Sequence, residues 1–339
     1  MQINTDWFYE KMKLIKIFSK EVDVEEVAVC LPLEQKTAAM IYELSKHTKV
    51  IPTKLDDYST KTEAVKWLNE RGIEITSKRD AAKASYFIDC AATLSKVALK
   101  MGKKEINVVE LTRTGELYLK TLNVPLKAIS VDSSSLKGKG ENTCGTAFGL
   151  IDALSRLNIY LPGKKVVILG FGRVGKGCAR ILKKLGCIVK ILEISELRKM
   201  EAIYEGFGLT NSLEDADIIV TCTGTRYAIN KKKLANVKNG AIILNLGAEK
   251  EIEVSGKLEY DYGAIKKYKY RGVEYFIIAN GYAANLAIGN GTPIEIMDRT
   301  FSAAILSLNY LKLDFKGVRP LPKEIEEKIA NAIINLQER

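Results

Sequence analysis

Histidine is nearly missing from this 339-residue chain: there is one, His47. It sits mid-helix in Glu43-Leu44-Ser45-Lys46-His47 and reads as a surface or internally satisfied residue. Imidazole, the usual proton carrier near neutral pH, is therefore scarce. The six cysteines, at 30, 90, 144, 178, 187 and 222, form no C-x-x-C pair and mostly fall inside apolar patterns, which excludes a disulfide frame or a zinc site. No uninterrupted apolar segment approaches the ~20 residues of a membrane span. The opening residues, with Asp6, Glu10 and several lysines, do not read as a signal peptide. A soluble, cytoplasmic protein that binds no membrane is expected. The formal charge of +11, from 52 Lys and Arg against 41 Asp and Glu, is spread as pairs such as Lys183-Lys184 and Lys266-Lys267. Without a long basic tract or interleaved aromatics, it reads as a lysine-rich solvated surface and excludes nucleic acid as the expected partner. Internal repeats and low-complexity tracts are also absent.

What is present points to two α/β halves. Strand composition at 27–31, 50–55, 85–89 and 108–111 is interrupted by helical patterns at 34–46 and 61–71, which predicts a doubly wound parallel sheet. Ahead of it, Trp7, Met12, Ile15 and Phe18 suit one face of an opening helix. A second run begins near Thr146, where Leu150, Ile151, Leu154 and Leu157 form a helical stripe ended by Pro162-Gly163. Strands are then predicted at 166–169, 188–192, 217–221, 241–246 and 275–279, a Rossmann-like set. A long apolar-periodic helix from 293 to about 311 and a shorter one from 323 follow. Small, glycine-rich residues at 133–140 and 289–293 read as two linkers that would suit a hinge.

The most specific motif lies inside the second half. The apolar run 166–169 is followed at once by Gly170, Gly172 and Gly175 in G-x-G-x-x-G spacing and then by a helical pattern. In that context Gly170 makes a tight turn, Gly172 lets the backbone approach a pyrophosphate, and Gly175 lets the helix pack on the strand. The next strand ends in Glu193, 18 residues beyond Gly175, where a carboxylate can take both ribose hydroxyls. Such an acid repels a 2′-phosphate, so the cofactor expected is NAD rather than NADP.

Beyond these motifs, the chain resembles the S-adenosylhomocysteine hydrolase family. The resemblance runs through Lys137-Gly138-Lys139-Gly140-Glu141-Asn142-Thr143-Cys144-Gly145-Thr146, Leu161-Pro162-Gly163-Lys164 and Gly170-Phe171-Gly172-Arg173-Val174-Gly175. It continues through Val220-Thr221-Cys222-Thr223-Gly224, Asn245-Leu246-Gly247, Asn285-Leu286 and Gly291-Thr292-Pro293. The N-terminal third matches more loosely, at Cys30-Leu31 with Thr37-Ala38 and at Thr112-Arg113-Thr114-Gly115. The resemblance implies two doubly wound parallel-sheet domains joined by two hinges. A substrate-binding and catalytic domain would comprise 1–135 and 293–339, and a Rossmann NAD-binding domain 136–292. In that family, tightly held NAD oxidises a ribose 3′-hydroxyl, a base removes the 4′ proton, homocysteine leaves, water adds and the ketone is reduced again.

Carried onto this chain, the resemblance implies that Lys137, Glu141 in place of an aspartate, and Asn142 are catalytic. A lysine desolvated in a closed cleft can act as a base near neutrality. Asp89 would be the surviving member of an aspartate pair. Cofactor contacts are implied at Gly170, Gly172, Arg173, Val174, Gly175, Glu193, Thr223, Asn245 and Asn285. Arg198 stands where the family has an asparagine, and could offset part of the preference of Glu193 for NAD. Substrate contacts are implied at Thr112, Arg113, Thr114 and Thr292.

The departures are as informative. Pro32, Ala248 and Thr292 stand where the family has histidines, Leu111 where it has a carboxylate, and Thr146 where it has a reactive cysteine. The chain stops near a helix at 323–337, without the family's C-terminal tail, which leaves a dimer and a tetramer equally open. Efficient hydrolysis of S-adenosylhomocysteine is therefore not expected, since one lost general acid or base costs ~10²–10⁴ in rate. The favoured expectation is NAD-dependent oxidation of a hydroxyl on a nucleoside thioether or related small molecule, by a homo-oligomer. Two alternatives stay open: a non-catalytic NAD-binding regulatory homologue, and a simple dehydrogenase of a small anionic substrate, for which Arg113 would suit a carboxylate or phosphate.

Overall fold

The computed structural model describes residues 4–337. In chain order its strands begin with β1 (Glu26–Leu31), β2 (Lys49–Lys54), β3 (Phe87–Asp89), β4 (Ile106–Glu110) and β5 (Leu126–Ser130). There follow β6 (Lys165–Leu169), β7 (Ile188–Leu192), β8 (Gly208–Leu209), β9 (Ile218–Thr221) and β10 (Ala241–Asn245). The last are β11 (Lys257–Asp261), β12 (Ile265–Tyr270), β13 (Val273–Ile278) and β14 (Gly317–Pro320). Two units result, one of residues up to 141 together with those from 294 onward, the other of residues 142–293.

The first unit holds an all-parallel sheet in the order β14-β5-β4-β3-β1-β2. A parallel sheet is covered on both faces, so its strands are apolar at nearly every position. In β1, Val27, Val29 and Leu31 join the larger core with Met40, Phe301 and Ile305, while Ala28 and Cys30 face an alanine-rich core with Phe87 and Leu94. The order reverses between β3 and β1, and ligands of such sheets sit outside the carboxyl ends at that switch point. Those ends are Pro32 to Glu34 after β1 and Cys90 to Ala92 after β3.

Sequence patterning does not anticipate β5 or β14. The edge strand β14 has four residues, includes Arg319 and Pro320, and is only partly buried, so it carries no apolar alternation. The opening helix also differs from expectation. It breaks into Thr5–Lys11 and Lys13–Phe18 at Met12, and Phe8 rather than Trp7 takes the inner position.

The second unit has the order β11-β12-β13-β10-β9-β6-β7-β8. Strands β6 to β10 and β13 form the parallel part, with the switch point between β6 and β9, directly after which the glycine motif stands. The unexpected strands β11 and β12 pair antiparallel with each other, and β12 pairs antiparallel with β13. β11 is exposed along its whole length and reads Lys-Leu-Glu-Tyr-Asp, a charged edge without a buried face for patterning to detect.

The linker expected at 133–140 is largely helical. Leu136–Gly145 is a π-helical run that leads straight into the helix Thr146–Arg156, and the chain passes from one unit to the other within it. Runs of i→i+5 bonding are rare and concentrate at functional sites.

Candidate functional site

In the second unit the glycine loop leaves β6 with Gly170 at φ +90°, where a Cβ would lie 2.9 Å from the Cys222 carbonyl oxygen. A Cβ on Gly175 would lie 1.9 Å from the Gly170 carbonyl oxygen, so the helix Arg173–Lys184 can approach the loop only without a side chain there. Gly172 differs: the nearest outside atom to its Cβ position is Arg198 Nη1 at 3.8 Å, which leaves the backbone open on that side. Arg173 starts the helix, and Val174 packs against the core of this unit.

Glu193 follows β7 and is buried. Its Oε2 accepts from Phe171 N at 2.7 Å, and its Oε1 accepts from Ile194 N and Ser195 N at 2.8 and 3.0 Å. Burial alone would raise its pKa, but these three N–H groups and the Arg198 charge bring it below the ordinary glutamate value. The side chain is a fixed anion at the strand end.

On the other side of the switch point, Thr223 and Asn245 are occupied by the protein itself. Thr223 donates from N and Oγ1 to Glu251 Oε2 at 2.9 and 2.7 Å. Asn245 Oδ1 accepts from Thr221 Oγ1 and Gly247 N, and its Nδ2 donates to the carbonyls of Glu249 and Gly281. Both therefore shape loop ends. Glu251, which no sequence motif marks, is buried against Gly247, where any Cβ would meet its carboxylate. Asn285 contrasts with them: it is 6% exposed, and its Oδ1 has no hydrogen-bond partner among the described residues. An orphaned buried acceptor and a glycine loop open at Gly172 are what a dinucleotide with a carboxamide donor requires, so the residues present fit NAD. Thr292 is buried in a packing role, in contact with Gly145, where a Cβ would run into its methyl group.

In the first unit, Lys137 is 5% exposed and forms an ion pair with Glu141 one helical turn on. A second buried pair, which the family resemblance does not point to, follows β1: Lys36 Nζ lies 2.8 Å from Glu34 Oε2, and Lys36 is 1% exposed. Burial pushes the Glu34 pKa up, Lys36 and Lys61 pull it down, and the Glu141 charge adds to the rise. The two pairs thus feel each other. The available sequence signal is two opposite charges at the mouth of a parallel strand, just past Pro32, where a helix begins.

The catalytic candidate Asp89 caps a helix start. It is fully buried, and its carboxylate accepts from the N–H groups of Cys90, Leu94 and Ser95 and from Ser95 Oγ, closing the start of the helix Thr93–Lys100. Burial pushes its pKa to about 6 despite those bonds. Glu110, its register partner on β4, carries no motif that would single it out. It accepts from Ala91 N, Ala92 N, Thr112 N and Thr112 Oγ1, and burial together with the Asp89 charge raises its pKa to about 8. Holding Ala91 and Ala92 in this arrangement needs φ of 55° and 52°. For alanine that conformation is strained by ~1–3 kcal/mol each.

The substrate-contact candidates nearby are likewise engaged. Thr112 Oγ1 caps the helix Arg113–Lys120 through Gly115 N. Arg113 is largely exposed and bonds Oε1 of the buried Glu116 at 2.8 Å. Thr114 is half-buried in the first turn of the same helix. No group of three or more His, Cys, Asp or Glu among the described residues could hold a metal ion, and no helix among them is long and apolar enough to cross a membrane.

Comparison with known proteins places residues 142–291 in the family described as "S-adenosyl-L-homocysteine hydrolase, NAD binding domain". The chain is 30% identical to the S-inosyl-L-homocysteine hydrolase of Methanopyrus kandleri, over 92% of this chain and 84% of that protein. It is 28% identical to the adenosylhomocysteinase of Thermotoga maritima, over 97% of this chain and 92% of the relative. The adenosylhomocysteinase of Sulfurisphaera tokodaii is also 28% identical, over 96% and 88%.

Proposed function

We propose that this chain, which belongs to the S-adenosyl-L-homocysteine hydrolase family, oxidises a hydroxyl of a nucleoside thioether or a related small molecule with NAD held by residues 142–291. When bound, NAD accepts a hydride from the carbon that bears the hydroxyl. The observation that carries the reading is the buried Lys137–Glu141 pair. Lys137 Nζ passes a proton to its partner Glu141 and, as the neutral amine, receives the hydroxyl proton, while Asn142 hydrogen-bonds the sugar. In the cofactor site Glu193 holds the adenosine ribose, Gly172 admits the pyrophosphate, and Asn285 Oδ1 accepts from the carboxamide.

With Pro32, Ala248 and Thr292 in place of imidazoles, the chain has few groups to eliminate homocysteine and add water. Slow or absent hydrolysis accompanied by reversible oxidation is the activity expected. A second reading, an NAD-binding regulator without turnover, draws support from Asp89 and Thr112, whose polar atoms are engaged in capping. The protein is proposed to act as a homo-oligomer, dimer or tetramer, in the cytoplasm.

The test is to purify the protein, measure bound NAD and its redox state, and add S-adenosylhomocysteine, S-inosylhomocysteine and a metabolite panel while following the absorbance of reduced cofactor. Reduction without release of homocysteine supports oxidation as the main activity. Rapid hydrolysis of S-adenosylhomocysteine would refute the argument from the missing imidazoles, and no reduction with any nucleoside favours the regulator.

A further inference from the structure

The carboxyl end of β7 holds a polar recess that reaches from Glu193, the carboxylate expected at the ribose hydroxyls, to Thr210 and Asn211 beyond β8. A cavity of about 310 Å³ there is lined by Ile191, Glu193, Lys199, Leu209, Thr210 and Asn211. Arg198, the neighbour of Lys199, is 54% exposed; its Nη1 lies 3.9 Å from Glu193 Oε2 and stands over the open side of Gly172. The guanidinium therefore spans the carboxylate expected at the ribose hydroxyls and the glycine expected at the pyrophosphate. It is only loosely paired, because three backbone N–H groups already engage Glu193. Lys199 adds a second cation, paired at the surface with Glu196 at 2.7 Å.

We propose that this recess is a subsite for the 2′-phosphate of NADP, so that the domain accepts NADP as well as NAD. An acid at the end of the second strand of the fold normally rejects that phosphate by repulsion. Here its negative charge is partly met by the N–H groups of Phe171, Ile194 and Ser195, and Arg198 presents a planar fork that matches phosphate oxygens. The cavity beside the Arg198–Lys199 turn supplies the room; Lys199, Thr210 and Asn211 line it together with the Glu193 carboxylate, and Arg198 stands outside its lining. The claim concerns binding alone and stands whether or not the protein oxidises a nucleoside.

The experiment is a calorimetric titration of the full chain, freed of endogenous cofactor, with NAD and with NADP. NADP is expected to bind within about tenfold of NAD, and Arg198→Asn to weaken NADP by about tenfold or more while NAD stays within about threefold, the size of one charge-assisted contact. Glu193→Gln should tighten NADP. Equal weakening of both cofactors by Arg198→Asn would overturn the proposal and assign Arg198 to the shared pyrophosphate; so would failure of NADP to displace NAD from the wild-type protein. Should the variant not fold, competition by 2′-AMP and 5′-AMP on the wild type decides. Comparable affinities support the subsite, and a 2′-AMP weaker by more than about tenfold removes it.

Discussion

The carboxyl ends of the parallel strands in the two sheets use opposite means to build a site. In the second unit the loop after β6 is shaped by missing side chains: Gly170 and Gly175 allow close packing, and Gly172 leaves backbone open. In the first unit the loops after β1, β3 and β4 are filled with ionisable side chains, Glu34, Lys36, Asp89 and Glu110, all turned inward and bonded. Backbone recognition of a cofactor depends on spacing and survives replacement of the surrounding residues. Side-chain recognition depends on each group's chemistry, and here those groups are engaged with the protein itself.

That contrast can be broken most severely at Lys36. Lys36→Met leaves the buried Glu34 without its cation, and the loss expected from breaking such a pair is about 3–5 kcal/mol, read by denaturant titration. The double variant Glu34→Gln with Lys36→Met should recover much of it; no recovery would mean that packing of the lysine stem, and not charge, holds this loop.

At the glycine loop, Gly175→Ala should cost about 3 kcal/mol through overpacking against the Gly170 carbonyl, and weaken NAD with it. A variant with wild-type melting temperature and NAD affinity would show that the close approach is dispensable.

The carboxylates of the first unit make a pH-dependent prediction. Between the ordinary value of 4.5 and the folded value of about 8, Glu110 keeps its proton in the native state while the unfolded chain has released it. Stability conferred by the proton is full below the lower value and falls as pH rises through the window. Glu110→Gln, which mimics the protonated form, should flatten the dependence of melting temperature on pH; an unchanged slope would place the titration elsewhere. The smallest effect is expected at Arg113→Ala, within ~1 kcal/mol in stability, because the Arg113 end of the pair is exposed and the buried Glu116 keeps Lys120 and Ser130 as partners.

Legibility followed the same division. The strands β6, β7, β9, β10 and β13 and the glycine loop were readable, because apolar runs between turns and fixed glycine spacing are local properties of the chain. β14 and β11 were not, since each is a short or charged edge whose pairing depends on a distant neighbour. Asp89 and Thr112 were recognisable as polar residues at strand ends, but their role in capping depended on which N–H groups the fold would turn toward them. Glu110 was missed because alanines at positive φ are needed to bring Ala91 N and Ala92 N to it, and nothing in an Ala-Ala pair announces that conformation.

The central claim is that Lys137 serves oxidation by NAD in a chain without the usual imidazoles. Its most direct test is the single-turnover rate of NAD reduction when a nucleoside thioether is mixed with wild type and with Lys137→Ala, both matched for NAD content and melting temperature. The account predicts a measurable rate in the wild type that falls by ~10²–10⁴ in the variant. An equal rate in the two proteins would contradict it.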